Sequence, residues 1–453
     1  MVPLRPQGTP SPQRGSRRWT TNGEGLWCLA IPATGVAEWR RRWDVLTAIL
    51  VFAVTYVLIA ARRFSLLHIG RPAGALLGAV GMVLLGVLTP KEAFACVDLP
   101  TIGLLFGMMV LTGYLREAGL FSAVVWRTLD RRWSPRAVLG GVVWLSGFAS
   151  AFLVNDTVCL MMTPLLCVLA EAAGLDPLPY LLALATSANI GSVATLAGNP
   201  QNMLIGMASG IPYREYLLVM APVAALCLGV NHWLLVAVFG KRLRSGPRAE
   251  ASGGAPRVKR AIAARSLLVL AGVVVAWLLG ADLAFTAICG AALLILINRI
   301  SPSKVFRELD WPLLLFFAAL FVVVGGVERA GVVAALRSWL PAGGGAAGIA
   351  GFAVVSVAAS NLFSNVPFVL VAAKWVQGLP APRLHWYLLA LTSTFAGNLT
   401  LVGSMANLIV AELSGGLRVM GFRQYFRYGA LVTLATTAAG VLYLVLVFAL
   451  WPR

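Results

Sequence analysis

The sequence predicts an all-α polytopic membrane protein built from two inverted repeats, each with five transmembrane helices, one re-entrant hairpin and one discontinuous helix. Three observations carry that prediction. The 453 residues are 59% apolar and only 12% charged, about half the charge of an ordinary soluble domain. Apolar runs of membrane length follow one another from Val45 to Trp451. The second half of the chain then repeats the first.

Taken in order, residues 1–44 are rich in Pro, Ser, Gly and Arg and read as a disordered basic tail. Apolar runs follow at 45–61, 70–88, 99–119, 137–172, 180–210 and 214–239, so that 45–240 forms the first transmembrane repeat. A polar basic linker at 241–265 interrupts them. The second repeat, 266–453, resumes at 266–280, 283–298, 311–331, 346–379, 385–414 and 425–451. One crossing needs about 20 apolar residues. The segments 137–172 and 346–379 exceed that and carry polar residues at their centres, which marks them as hairpins that enter and leave on one side.

The repeat shows in matched motifs. Asp98-Leu99-Pro100 returns as Asp310-Trp311-Pro312, and Arg116-Glu117-Ala118-Gly119 returns with its charges swapped as Glu328-Arg329-Ala330-Gly331. Asn155 falls opposite Asn365, and TLAGNPQNMLI from Thr195 falls opposite TLVGSMANLIV from Thr400. The offset drifts only from 212 to 205. Five crossings per half is an odd number, so the second copy is inverted. With the linker in the cytoplasm, 22 of the 36 basic residues fall on the cytoplasmic side and 7 on the other, outside the tail, as the positive-inside rule requires of a cytoplasmic-membrane protein. The 7 basic residues of the tail, Arg40-Arg41-Arg42 among them, fall on the wrong side in this scheme.

The net charge of +19 is therefore a record of topology, and with no basic stretch interleaved with aromatics, no nucleic-acid partner is expected. The six Cys form no C-x-x-C and have no His at ligand spacing, which points away from a disulfide framework or a metal site. No G-x-x-x-x-G-K-[ST] loop appears, so any drive by ATP would come from a partner subunit. An intramembrane aspartyl protease needs two facing membrane Asp and a serine hydrolase needs a Ser/His pair at one depth; neither is visible, and no enzyme and no cofactor are expected.

Polar groups are costly in hydrocarbon, so those at membrane depth are functional candidates. They gather in four places: Asn155-Asp156-Thr157 at the first hairpin turn, Gly198-Asn199-Pro200-Gln201-Asn202 in the helix after it, Ser364-Asn365-Val366-Pro367 at the second turn, and Thr400 to Asn407 in the helix that follows. Gly, Pro and small polar residues break a helix, which is tolerated at depth where the chain lines a cavity. Half-helix N-termini then aim N–H groups at the cavity and suit an anion, while the C-terminal ends supply carbonyls suited to Na⁺. Asp156 is the one acid in these motifs. It can balance a coupling cation as a carboxylate or carry a coupling proton as a buried neutral acid; the plainer alternative is a cap on the second helix of its own hairpin. Arg116/Glu117 and Glu328/Arg329 are expected to pair at the ends of equivalent helices.

The Asn155-Asp156-Thr157 tip with Thr163-Pro164 after it, the TLAGNPQN break, the Ser364-Asn365-Val366-Pro367 tip and the TLVGSMANLIV break together resemble the ion transporter superfamily over about residues 45–451. That group includes arsenite/antimonite permeases, citrate and divalent-anion:sodium symporters, and sodium/proton antiporters. The resemblance implies a secondary transporter of a small anion or metalloid oxyacid, coupled to H⁺ or Na⁺, often homodimeric, in which a transport domain moves like an elevator against a scaffold. An arsenite-type member would also take an ATPase subunit. Carried onto this chain, substrate binding falls to Asn155, Asp156, Thr157, Gly198, Asn199, Asn202, Ser364, Asn365, Val366, Gly403, Ser404 and Asn407, and cation or proton coupling to Asp156, Asn155, Asn365, Thr195 and Thr400. The dicarboxylate symporters carry Ser-Asn-Thr at both tips, whereas here the tips read Asn-Asp-Thr and Ser-Asn-Val. The first tip is similar to the arsenite branch and the Gly-Asn-Pro-Gln-Asn break to the anion-permease branch, so the substrate stays open. A sodium/proton antiporter on the same fold is the alternative, though it would call for several acids.

Overall fold

The computed structural model describes residues 19–21, 27–29, 33–61, 70–121, 123, 133–244, 258–298, 300–332, 345–416 and 419–450. The first half runs α1 (Ala33–Ala61), α2 (Arg71–Leu84), α3 (Pro90–Ala95), α4 (Leu99–Glu117), α5 (Pro135–Phe152), α6 (Asn155–Ala172), α7 (Pro177–Ser192), α8 (Pro200–Ser209) and α9 (Tyr213–Phe239). The second runs α10 (Arg260–Leu278), α11 (Leu283–Ile297), α12 (Pro302–Arg307), α13 (Trp311–Arg329), α14 (Ala346–Phe363), α15 (Asn365–Val376), α16 (Pro382–Ala396), α17 (Met405–Leu413) and α18 (Phe422–Leu450). Each helix of the first half thus has its counterpart in the second, down to the short α3 and α12. Among the described residues, 8 helices are long and apolar enough to cross a membrane.

Local signals set the helix starts. Thr89 and Glu92 form a capping box at α3, and the side chains of Asp98, Ser134, Asp176, Asp282 and Asp310 each accept a backbone N–H at the start of α4, α5, α7, α11 and α13. Pro follows the cap in most of these, where its missing N–H costs nothing. The hairpins form as expected, α5 turning into α6 through Leu153 and Val154, and α14 into α15 through Ser364 alone. That second turn places Ser364 at φ +77°, a region L-residues rarely adopt.

The tail differs from expectation. Trp19–Thr21 and Trp27–Leu29 pair as a short antiparallel ribbon, and α1 begins at Ala33, ahead of the expected boundary at 44, because no proline interrupts the chain after Pro32. Of the expected linker, 245–257 lies outside the described residues, as do Arg127, Arg131 and Arg132.

The helices sort into two layers. α4 packs on α11, α2 on α13 and α1, and α10 on α11, giving a flanking layer of α1–α4 and α10–α13. α5 packs on α7, α6 on α17 and α7, α14 on α16, and α9 on α18, giving a site layer that holds both hairpins and both broken helices.

Charged pairs join the repeats. Glu117, at the end of α4, bonds Lys304 of α12 at 2.7 Å and Lys259 at 3.3 Å, while Arg329, at the end of α13, bonds Glu92 of α3. Glu92 and Lys304, like Glu117 and Arg329, stand 212 positions apart. Both members of the bridge have exchanged sign, so each repeat still clasps the short helix of the other. The expectation that adjacent charges pair at equivalent helix ends therefore needs correcting: consecutive helical residues do not face each other, and Arg116 instead bonds Glu308 while Glu328 bonds Lys374 at 3.0 Å. Hydrogen bonds from Thr89, aided by Arg329, hold the Glu92 carboxyl below the usual carboxylate range. Its counterpart Lys304 is pushed up by the Glu117 carboxylate.

Candidate functional site

Each broken helix is closed by one asparagine. Asn202 Nδ2 donates to the carbonyls of Ser192 (3.2 Å) and Thr195 (3.1 Å). Asn407 Nδ2 donates to those of Gly397 (2.7 Å) and Thr400 (3.1 Å), at the same two sequence separations. These carbonyls have lost their helical partners at the break, and a buried carbonyl left bare costs about 1–3 kcal/mol. The glycines are there for close approach: a Cβ at Gly198 would fall onto the Ser192 and Ser150 carbonyl oxygens, and one at Gly403 would lie 2.9 Å from Asn361 Oδ1 and from the Gly397 oxygen.

The hairpin tips dock onto these breaks. Asn155 donates its backbone N–H to the Gly198 carbonyl (3.1 Å) and its side chain to Asn189 Oδ1 (2.9 Å). In the second repeat Ser360 Oγ donates to Asn365 Oδ1 at 2.9 Å. Asn189 is the hub. Its oxygen also accepts from Ser404 Oγ (3.1 Å), and its amide donates to Asn398 Oδ1 (2.9 Å) and Asn407 Oδ1 (3.1 Å). All four bonds of one buried amide are thus made, three of them to the other repeat. A reciprocal bond runs from Asn199 Nδ2 to Thr394 Oγ1 at 3.3 Å. Asn189 with Thr394, and Asn199 with Ser404, are pairs 205 positions apart; the crossing repeats itself around the pseudo-twofold axis.

Asp156 departs from that symmetry. It does not cap its own helix, since the N-cap of α6 is Val154 with no side-chain bond. It lies instead against the first turn of α17, lining one cavity with Ser404 and Met405. Ser404, the N-cap of α17, makes no side-chain cap of its own. A carboxylate of the first repeat thus stands beside the N-terminus of the second repeat's half-helix.

Asn155, Asp156, Ser364, Asn365, Val366, Gly403 and Ser404 line one cavity of about 40 Å³. Thr157, Thr195, Gly198, Asn199, Asn202, Thr400 and Asn407 do not line it; Thr195, Gly198, Asn199, Asn202 and Asn407 are buried, and Thr157 and Thr400 half-buried. Arg71, Gln201 and Met405 complete the polar and soft lining, with Leu313 and Phe316 of α13. The four motifs leave out Arg71 at the start of α2, Asn189 in α7, Thr394 in α16 and Asn398 in the turn that follows α16. The cost of burying a polar side chain, applied along α7 and α16, is the signal that finds Asn189 and Thr394. Within the described residues Asn155 Oδ1 and Asn202 Oδ1 are buried without a hydrogen-bond donor. A second, larger cavity of about 440 Å³ lies between α4, α8, α13 and α15, bordered by Asp98, Thr101, Glu328 and Lys374.

Two hairpin tips meeting two broken helices around a polar pocket, inside an apolar many-helix shell, define a multi-pass membrane transporter of small solutes. The chain belongs to the citrate transporter family, whose model matches residues 56–396. It is 32% identical to the silicon efflux transporter of Oryza sativa subsp. japonica over 86% of this chain and 96% of that one. It is 27% identical to a transporter named arsB from Dictyostelium discoideum, over 88% and 92% of the two chains. Among solved structures, the YdaH transporter of Alcanivorax borkumensis superposes with a TM-score of 0.56 at 16% identity, covering 91% of this chain and 99% of that one; at that identity the likeness concerns the fold. Relatives named as transporters place the chain among permeases and not among enzymes.

Proposed function

We propose that this protein exports a small uncharged metalloid hydroxide, of the arsenous-acid or silicic-acid class, across the cytoplasmic membrane in exchange for protons, with the linker face in the cytoplasm. The observation that carries the reading is the cavity: about 40 Å³, with one carboxylate, one guanidinium and otherwise neutral groups. A single water needs about 10–15 Å³ of such space, so the cavity accommodates a few hydroxyl-sized groups around one central atom. A tricarboxylate is several times larger, and its charge would face Asp156 at close range.

The chemistry of the lining agrees. Ser364, Asn365, Ser404, Asn155 and Gln201 all both donate and accept, which suits a solute whose every face is a hydroxyl. Asp156 alternates between binding a proton and accepting substrate O–H bonds, so proton and solute exclude each other. The hairpins and broken helices move as one body past the flanking layer, as in an elevator, and carry the site from one face to the other. The word efflux in the name of the rice relative supports the direction. A second reading, sodium in place of the proton, is favoured by the donor-free Asn155 Oδ1 and Asn202 Oδ1 near the carbonyls at the first break, with Thr195, Thr400 and Asn365 as further oxygens.

Proteoliposomes carrying the purified chain, tested with arsenous acid, silicic acid, citrate, succinate and sulfate under an imposed pH or Na⁺ gradient, decide the matter. The expected result is pH-driven transport of a metalloid hydroxide with none of citrate. Citrate transport driven by Na⁺ overturns the proposal.

A further inference from the structure

Charge bridges the two layers at two places around the site. On one face Lys374 of α15 bonds Glu328 of α13 at 3.0 Å. On the other, Arg71, the first residue of α2, donates from Nη1 to Met405 Sδ at 2.8 Å, and Asp156 lines the same cavity as Met405. Arg71 and Asp156 therefore meet the same turn of α17, and both line the cavity. They belong to different bodies. Arg71 stands on a helix packed against α1 and α13, in the layer without hairpins, whereas Asp156 and Met405 ride on the hairpin and the broken helix.

Among the described residues, the charged groups that act on Asp156 are Asp310, at the start of α13, and Arg71. Its titratable neighbour on its own helix is Cys159. Arg71 is thus the one cation of this set, and it is attached to the part that stays behind when the site moves.

Resting on the proton-exchange reading above, we infer that Arg71 is a latch on the empty carrier: it holds ionised Asp156 and the first turn of α17 at its own face until a proton or a substrate hydroxyl takes over. An unneutralised carboxylate drawn away from a cation into a low-dielectric layer loses its attraction and gains nothing in return. A proton from water added to the carboxylate makes a neutral acid, and the Coulomb hold lapses. Substrate O–H groups donating to the carboxylate replace the guanidinium as its partner. Without either, the unit stays, so the empty, unprotonated carrier cannot return and exchange is obligatory. Arg71 is in this sense a positioning residue, acting through Asp156.

The test uses the full chain in proteoliposomes with arsenous acid and silicic acid, and compares two rates: exchange at equal pH and net accumulation against a gradient driven by pH. In Arg71→Gln the ratio of net accumulation to exchange falls about tenfold, and Arg71→Lys restores most of it. Equal loss of both rates in Arg71→Gln, or an unchanged ratio, overturns the latch. Absence of exchange in the unaltered protein overturns the transport reading itself and is thereby distinguished from failure of the latch.

Discussion

The two repeats use the same carpentry and different chemistry. Asn202 and Asn407 close their breaks with the same pair of bonds, at the same separations. At the tips, by contrast, Asn155-Asp156-Thr157 stands opposite Asn365-Val366-Pro367, and the first repeat's Asp156 lines the cavity beside the start of the second repeat's α17. Duplication preserved what holds the helices open, because losing it exposes buried carbonyls in either copy. The groups that line the cavity were free to diverge. In the proposed exchange one acid in a shared cavity is enough to couple the solute to a proton, and a second acid at the matching position would only repel it.

The largest effect expected from breaking this asymmetry is in Asp156→Asn, which keeps the size of the side chain and one carbonyl oxygen but loses the exchangeable proton. Gradient-driven transport in proteoliposomes falls about a hundredfold, with the protein still folded by size-exclusion chromatography. Val366→Thr, at the matching position, leaves the pH dependence in place; if it abolishes coupling as well, the division of labour is wrong. Next comes Asn189→Leu. It removes four hydrogen bonds from the centre of the site, and thermal or denaturant unfolding in detergent reads a loss of about 4 kcal/mol. Thr394→Val, its counterpart, costs about 1 kcal/mol.

Asn202→Ala and Asn407→Ala test the shared part of the comparison. Each strips two carbonyls of their donor and destabilises by about 2–3 kcal/mol, and Asn407→Ala by about 1 kcal/mol more because Asn407 Oδ1 also accepts from Asn189; a larger loss in Asn202→Ala would show that the two breaks are not mechanically equivalent. The smallest effect is at the tips. Ser364→Gly relieves a positive φ and raises the melting temperature, by the equivalent of about 1 kcal/mol. Val154→Gly gains nothing, because Val154 sits at φ −58°.

Much of this was legible in the residues. Hairpins announced themselves as apolar segments too long for one crossing with polar centres, as in 137–172, and the breaks announced themselves as Gly-Asn-Pro-Gln-Asn and its degenerate copy. Asn189 stayed hidden because nothing in Thr186-Ser187-Ala188-Asn189 interrupts the helix, and a single polar residue in α7 gains meaning only once its four partners are known. Arg71 stayed hidden because it opens an apolar run, where a basic residue ordinarily marks the loop side. Its placement against Met405 depends on how α2 lies beside α17, which local pattern does not encode.

By itself the sequence determined the membrane class, the duplication, the inversion and the two hairpins, because hydrophobic length, charge asymmetry and helix-breaking residues act locally along the chain. Tertiary structure alone decided which polar groups share a cavity, and that Asp156 meets Arg71 and the start of the opposite repeat's broken helix there. Those are contacts between segments hundreds of residues apart, and only the packing of the two layers brings their charges within reach.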